Sequence, residues 1–167
     1  LDQAAKCATT VMVLEFKSQY SKEHEDSLVA ITFDKLKKHN LYDPSRVIFI
    51  SFSMNICKKV ADEAPEFTNQ YLNGDIAPAD VKKEGINGID YHYNSFYKHP
   101  EWVKEAHDLG MSVNVWTVNK EKDMKAMIDL GVDCITTNEP LIARKLLGSE
   151  ELRLARASED DPKADPK

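Results

Sequence analysis

Short apolar segments rich in β-branched residues alternate with amphipathic segments along most of the chain, and this alternation constrains the fold more than any other feature. Two parallel strands can be neighbours only if a crossover, usually a helix, joins them, so repeated strand–helix units predict a parallel sheet in an α/β fold. Several of the apolar segments are nearly continuous, which is typical of a sheet buried on both faces. Six strands are predicted, at 11–17, 47–51, 70–72, 89–93, 112–116 and 132–136.

The intervening segments carry recognisable helix boundaries. Ser53 is a predicted N-cap for a helix that ends before Pro65, and Asn119 is a predicted N-cap for a helix that Gly131 terminates. Another helix is predicted over 26–40, where apolar residues recur at helical spacing. Further helices are predicted near 79–83, 101–109 and 141–147.

Two architectures fit this pattern. An open doubly wound sheet is one, and part of an eight-stranded barrel is the other. A complete barrel takes about 250 residues, whereas this chain has 167. Spacing alone leaves both open.

Composition separates the chain into a body and a tail. Hydrophobic residues make up 42% and charged residues 30%, which is typical of a globular protein. Residues 1–148 are expected to form the folded part. The segment 149–167 is rich in charged and small polar residues with little to bury, so we expect a disordered tail there.

Charge and hydropathy exclude several functions. The net charge is −6, with no cluster of Lys and Arg interleaved with aromatic residues, so nucleic acid is not an expected partner. The longest apolar runs are far shorter than the roughly 20 residues that span a bilayer. No signal peptide is visible, and the compartment stays undecided. Cys7, Cys57 and Cys134 match no metal or redox spacing and are expected to be buried free thiols.

Glu15 and Lys17 are the strongest candidates for chemistry. In both architectures ligands bind at the carboxyl ends of the strands. Glu15 interrupts an otherwise apolar strand, where a carboxylate is costly unless it is paired or binds a metal. The two-residue repeat places Glu15 and Lys17 on one face and Phe16 on the other. The pair suits a metal ligand beside a phosphate-binding ammonium, or a simple ion pair at a strand end.

Trp116 and His92 also fall at predicted strand ends. Trp116 is consistent with the wall of a small-molecule pocket or with the core of a barrel. The other four histidines fall on predicted loops or helices and are expected at the surface. No pair of histidines has the spacing of an acid–base pair or a metal site, and no glycine-rich phosphate loop is present.

Four segments together resemble the glycerophosphodiester phosphodiesterase family. Residues 13–17 (VLEFK) are similar to its strand with a Glu-x-Lys motif, and residues 47–52 (VIFISF) are similar to its Ser-Phe strand. Residues 110–119 (GMSVNVWTVN) and 127–140 (MIDLGVDCITTNEP) resemble the end of the family's barrel in order and spacing. The resemblance extends from residue 1 to about 147.

This resemblance implies a partial TIM-type barrel of the phospholipase C-like phosphodiesterase kind. It implies hydrolysis of small glycerophosphodiesters to glycerol 3-phosphate and an alcohol, in lipid and glycerol metabolism, with Ca²⁺ or Mg²⁺ as cofactor. The resemblance also implies that Glu15 is a metal ligand and that Lys17 contacts the phosphate. Phe52 and Trp116 line the glycerol side of the pocket.

One departure from the family pattern is large. The family's His-Arg-Gly, Glu-x-Asp and His-Asp motifs, which supply the acid–base histidines and further metal ligands, do not occur in this sequence. We therefore expect a C-terminal part of the barrel that is inactive by itself. An open barrel also exposes strand edges and apolar faces, so self-association is expected. Two alternatives are a non-catalytic binding module of the same lineage and a doubly wound domain that binds a phosphorylated ligand.

Overall fold

Six strands form one all-parallel sheet in the computed structural model, which describes residues 1–7 and 9–148. The sheet order follows the chain order from β1 to β6, and each strand is parallel to the next. The strands are β1 (Met12–Phe16), β2 (Val47–Ser51), β3 (Thr68–Tyr71), β4 (Gly88–His92), β5 (Ser112–Trp116) and β6 (Cys134–Ile135).

The strand order decides between the two architectures. A doubly wound sheet contains a point where the strand order reverses, whereas a barrel wall adds each new strand beside the previous one. The sheet has no reversal between residues 9 and 148, so the prediction of a partial barrel is confirmed and the doubly wound alternative is wrong. Within the described residues β1 and β6 are the two outer strands of the sheet.

Helices connect successive strands as crossovers, and one further helix lies at each end of the described chain. They are α1 (Asp2–Ala5), α2 (Lys22–Lys38), α3 (Met54–Glu63), α4 (Pro78–Lys83), α5 (Tyr93–Lys98), α6 (Glu101–Asp108), α7 (Glu121–Leu130) and a last helix, α8, over 140–148. The Ser53 hydroxyl accepts a hydrogen bond from the Ile56 N–H at 3.3 Å, so the predicted cap of α3 is present. Gly131 ends α7 with φ of 86°, in the left-handed region that favours glycine. No helix of the described residues is long and apolar enough to cross a membrane.

One face of the sheet packs against the helices and forms two apolar clusters. Phe16 of β1 and Phe49 of β2 lie in the first cluster together with Val29, Phe33 and Leu36 of α2. The second cluster joins the outward residues of β4 and β5 to α4, α6 and α7, with Ile89, Tyr91, Val113, Val115 and Met124 among its members. Because side chains alternate along a strand, the residues between these apolar positions occupy the opposite face.

That opposite face, here called the inner face, is polar along β3 to β6. Gln70 donates to the Ser112 hydroxyl at 3.0 Å, and Asn114 donates to the Thr136 hydroxyl at 3.4 Å. Gly88 leaves room for these groups, because a Cβ there would lie 2.7 Å from the Gln70 Cγ. The sheet therefore buries apolar residues on its helix-covered face and presents hydrogen-bonding groups on the other.

The structure corrects several local expectations. Asn119 does not cap α7, because α7 begins at Glu121 and its N-cap residue is Lys120. The Asn119 side chain instead accepts a hydrogen bond from the Asn138 N–H at 2.8 Å and links the loops after β5 and β6. Helix α2 begins four residues before the predicted start at residue 26, because Ser21 caps it. Helix α5 was not predicted.

The cysteine expectation is wrong at two of three positions. Cys57 is buried, and burial raises the pKa of its thiol to about 12. Cys7 and Cys134 are exposed free thiols. The expected disordered tail, 149–167, lies outside the described residues.

Candidate active site

A pocket of about 270 Å³ opens at the carboxyl ends of the strands. In a sheet whose strands all run in one direction, the loops that follow the strands meet at a single edge. The pocket is lined by Glu15, Lys17, Ile50, Phe52, Leu72, Asp90, Trp116, Thr117 and Thr136. These residues come from β1, β2, β4 and β5 and the segments that follow the strands, so the pocket depends on the sheet as a whole.

The four residues to which the family resemblance assigns roles all lie in this pocket. Glu15 and Lys17 come from β1 and its end, Phe52 follows β2, and Trp116 ends β5. The structure thus brings together side chains that are up to about a hundred positions apart in the chain. Their chemical roles stay predictions at this point.

Glu15 and Lys17 form an ion pair, with 2.6 Å between Lys17 Nζ and Glu15 Oε1. The Glu15 side chain is 29% exposed and the Lys17 side chain is 74% exposed. An ion pair this accessible contributes at most about 1 kcal/mol to stability. The ion pair can therefore be broken at little cost to the fold.

The Trp116 indole forms an apolar wall. Its ring meets the Phe52 ring edge to face, with 5.6 Å between centroids and 84° between planes. The His92 ring contacts it at a centroid distance of 5.1 Å. The indole N–H donates to the Asp90 carbonyl at 2.8 Å, which fixes the ring against β4. Trp116 therefore faces the pocket, and a ligand's carbon chain would meet the two rings.

Asp90 is a site residue that sequence reasoning missed. Asp90 is only 1% exposed, and it lines the pocket from the inner face of β4. Burial raises the pKa of its carboxyl to about 7, the neighbouring Asn114 side chain lowers that pKa, and the charge of Glu15 raises it. The available signal was an acidic residue inside an apolar strand, the same signal that identified Glu15.

The histidines do not assemble into an acid–base pair. His92 lies nearest the pocket, but its Nδ1 accepts a hydrogen bond from the Asn94 N–H at 3.2 Å and caps α5. The other four lie on helices or at their ends, and three of them pair with carboxylates: His39 with Asp2, His99 with Glu101 and His107 with Asp133. The expected surface location of these histidines is confirmed.

The pocket offers part of a cation site. Carboxylate and hydroxyl oxygens are the donors that Ca²⁺ and Mg²⁺ prefer, and Glu15, Asp90 and Thr136 supply such atoms. Across 1–7 and 9–148, however, no group of three or more His, Cys, Asp or Glu residues is placed to hold a metal ion. These oxygen atoms are of the type that a hard divalent cation binds. The described residues supply only some of the ligands that such a cation needs.

A second depression, of about 220 Å³, lies on the outer surface between α2 and α3. Four of its charged side chains pair with one another, Lys22 with Asp26 at 3.0 Å and Lys59 with Glu63 at 2.5 Å. Its lining residues all belong to α2 and α3, whereas barrels bind ligands at the ends of the strands. The pocket at the strand ends is therefore the candidate active site.

Comparison with known proteins assigns the chain to a family. The model of the glycerophosphoryl diester phosphodiesterase family matches residues 5–142. A glycerophosphodiester phosphodiesterase from Parabacteroides distasonis is 38% identical with a TM-score of 0.81, and the match covers 84% of this chain and 58% of that one. No curated protein matches the sequence significantly.

Two other solved structures share the fold. A proposed glycerophosphoryl diester phosphodiesterase from Silicibacter pomeroyi is 25% identical with a TM-score of 0.74, over 84% of this chain and 51% of that one. An Oleispira antarctica phosphodiesterase in complex with the product sn-glycerol-3-phosphate is 17% identical with a TM-score of 0.65, over 82% and 56%. This chain spans somewhat more than half the length of these relatives. By sequence and by fold it belongs to the glycerophosphoryl diester phosphodiesterase family.

Proposed function

We propose that this chain forms the substrate-pocket part of a phosphoric diester hydrolase, which cleaves glycerophosphodiesters to glycerol 3-phosphate and an alcohol with the help of a divalent cation. The observation that carries the proposal is the convergence of Glu15, Lys17, Phe52 and Trp116 on one pocket at the strand ends. Membership of the family supports the reaction class. The Oleispira antarctica relative binds a product of this kind, sn-glycerol-3-phosphate.

Each pocket residue has a role that its chemistry suits. The Lys17 ammonium would donate charge-assisted hydrogen bonds to the phosphate. Phe52 and Trp116 would pack against the carbon chain of the glycerol group. Glu15 would supply one carboxylate to Ca²⁺ or Mg²⁺, and the cation, when bound, would neutralise charge on the phosphate.

Turnover needs more than these residues supply. Phosphodiester hydrolysis requires a positioned nucleophile and an acid that protonates the leaving alcohol. The nearest histidine, His92, already caps α5. We therefore propose that the 167-residue chain binds glycerol 3-phosphate but does not hydrolyse glycerophosphodiesters by itself.

Binding at this pocket is expected to change the emission of Trp116. The chain contains two tryptophans, and Trp102, on α6, stacks against the His99 ring at the end of α5. The variant Trp102→Phe leaves Trp116 as the only tryptophan, so its fluorescence should change in a saturable way when sn-glycerol 3-phosphate is added with Ca²⁺ or Mg²⁺. The matched variant Trp116→Phe should show no such change. Equal changes in both variants, or none in either, would contradict binding at this pocket.

We also propose that the chain self-associates through its outer strands. Val13 on β1 is 50% exposed and Val11 just before it is 45% exposed. An outer strand with exposed apolar residues is a template for pairing with another chain. Sedimentation velocity at micromolar concentrations should detect dimers or larger species, and Val13→Lys should reduce them, because a charge on an outer strand discourages pairing. A compact monomer at every concentration would contradict this.

A further inference from the structure

The carboxyl group of Asp90 has one oxygen without a partner. Asp90 is 1% exposed on the inner face of β4, and its Oδ1 has no hydrogen-bond partner among the described residues. Leaving a buried polar atom without a partner costs free energy, so native structures rarely keep one without a function. The same side chain contributes to the lining of the pocket.

The protein groups around Asp90 leave this one oxygen unpaired. The Asn114 side chain hydrogen-bonds to the carboxyl group and lowers its pKa, donates to Thr136 and accepts from the Val115 N–H, yet Asp90 Oδ1 keeps no partner among the described residues. The Trp116 N–H donates to the backbone carbonyl of Asp90 and not to the carboxyl group. Lys17 pairs with Glu15, and no ion pair in the described part of the chain includes Asp90. The free oxygen is therefore available to a ligand that enters the pocket.

The chemistry of that partner is restricted. A carboxylate oxygen accepts hydrogen bonds, so it favours a ligand group that donates one. A phosphate in the pocket would be repelled by Asp90 and attracted by Lys17. The Phe52 and Trp116 rings offer no acceptor for a hydroxyl group, whereas Asp90 lines the same pocket with an unpaired oxygen that can accept from hydroxyls on the carbon chain.

We propose that Asp90 is a specificity-determining residue whose free carboxyl oxygen accepts a hydrogen bond from a hydroxyl of a polyol phosphate bound in the pocket. This inference rests on the proposed function and deepens it, because it assigns a residue to the free hydroxyls of the glycerol group. A pocket that hydrogen-bonds a ligand hydroxyl discriminates strongly against an analogue that lacks it, because the buried acceptor is then left unpaired.

The test compares two phosphates by isothermal titration calorimetry with the 167-residue chain, in the presence of Ca²⁺ at pH 8. sn-Glycerol 3-phosphate carries two free hydroxyls and ethyl phosphate carries none. The wild type should bind sn-glycerol 3-phosphate about tenfold tighter than ethyl phosphate, as expected for one hydrogen bond to a charged group. Asp90→Leu has a side chain of similar shape without oxygens and should bind the two phosphates about equally. Asp90→Asn keeps one acceptor oxygen and should lose part of the preference.

Asp62→Asn, on the exposed surface of α3, is the matched control and should keep the full preference. Equal binding of both phosphates by the wild type would overturn the role of Asp90 and leave the proposed function intact. Binding of neither phosphate would overturn both. Loss of both phosphates and of Ca²⁺ binding in the Asp90 variants would also overturn the proposal, because Asp90 would then act on the cation or the fold and not on the hydroxyl.

Discussion

Glu15→Gln is expected to lower kcat/KM for glycerophosphocholine by at least about a hundredfold in a complete barrel that contains this chain. Removing one group that stabilises transition-state charge typically costs a factor of about 10² to 10³. Glutamine keeps the shape of Glu15 and removes its negative charge. The variant therefore loses one proposed carboxylate of the cation site and the partner that holds Lys17 at 2.6 Å.

The test protein is a fusion of residues 1–148 with the part of the Parabacteroides distasonis relative that lies outside the match, designed to complete the barrel. The matched control is Glu63→Gln on the outer surface of α3, where the carboxylate pairs with Lys59. Its kcat/KM should stay close to that of the unsubstituted fusion. A higher cation concentration should restore part of the activity of Glu15→Gln, because the substitution weakens cation binding. Activity within a few-fold of the unsubstituted fusion would remove Glu15 from the proposed site.

Asp90→Asn is expected to stabilise the chain at pH 8 relative to the wild type, and to do so progressively less as the pH falls toward 4. Burial raises the pKa of the Asp90 carboxyl group to about 7 in the folded state, from an ordinary value of 3.8. Between these values the folded state binds more protons than the unfolded state, so the wild type loses stability as the pH rises through this window. A pKa that is higher by about three in the folded state lowers the free energy of unfolding of the wild type above pH 7 by at most about 4 kcal/mol.

Urea unfolding of both chains, in buffer with EDTA, measures this difference. The free energy of unfolding of the variant minus that of the wild type should be largest above pH 7 and should fall toward a constant near pH 4. The difference that remains near pH 4 measures the effect of the asparagine amide itself on the free energy of unfolding. A difference that does not vary with pH would mean that Asp90 is not held in the buried environment described here. Asp62→Asn again provides the matched control.

The sequence predicted the residues of β1 because their signal is local. A carboxylate within an apolar run is recognisable from the neighbouring residues alone. Because side chains alternate along a strand, Glu15 and Lys17 are predicted on one side without knowledge of the fold. The alternation of strands and helices likewise predicted the parallel sheet. It did not predict the strand order, because both architectures use the same alternation and differ only in which strands become neighbours.

Asp90 and Asn119 needed information that local patterns do not contain. Asp90 lies in the middle of β4 and not at a strand end, and its burial depends on the register with β5 that places it beside Asn114. Asn119 precedes a helix and so satisfies the local pattern of an N-cap. Its partner, the Asn138 N–H, is 19 positions away and becomes adjacent only when β6 pairs with β5.

The measurement that tests the central claim most directly is the release of glycerol 3-phosphate from glycerophosphocholine by the unsubstituted fusion, with Ca²⁺ or Mg²⁺ and with EDTA. We predict release that requires the cation, and none from the 167-residue chain alone. Cation-dependent release by the 167-residue chain itself would contradict the account of its missing acid–base groups. No release from the fusion with either cation and several head groups would contradict the proposed hydrolase and leave a barrel that binds glycerol phosphates without cleaving their diesters.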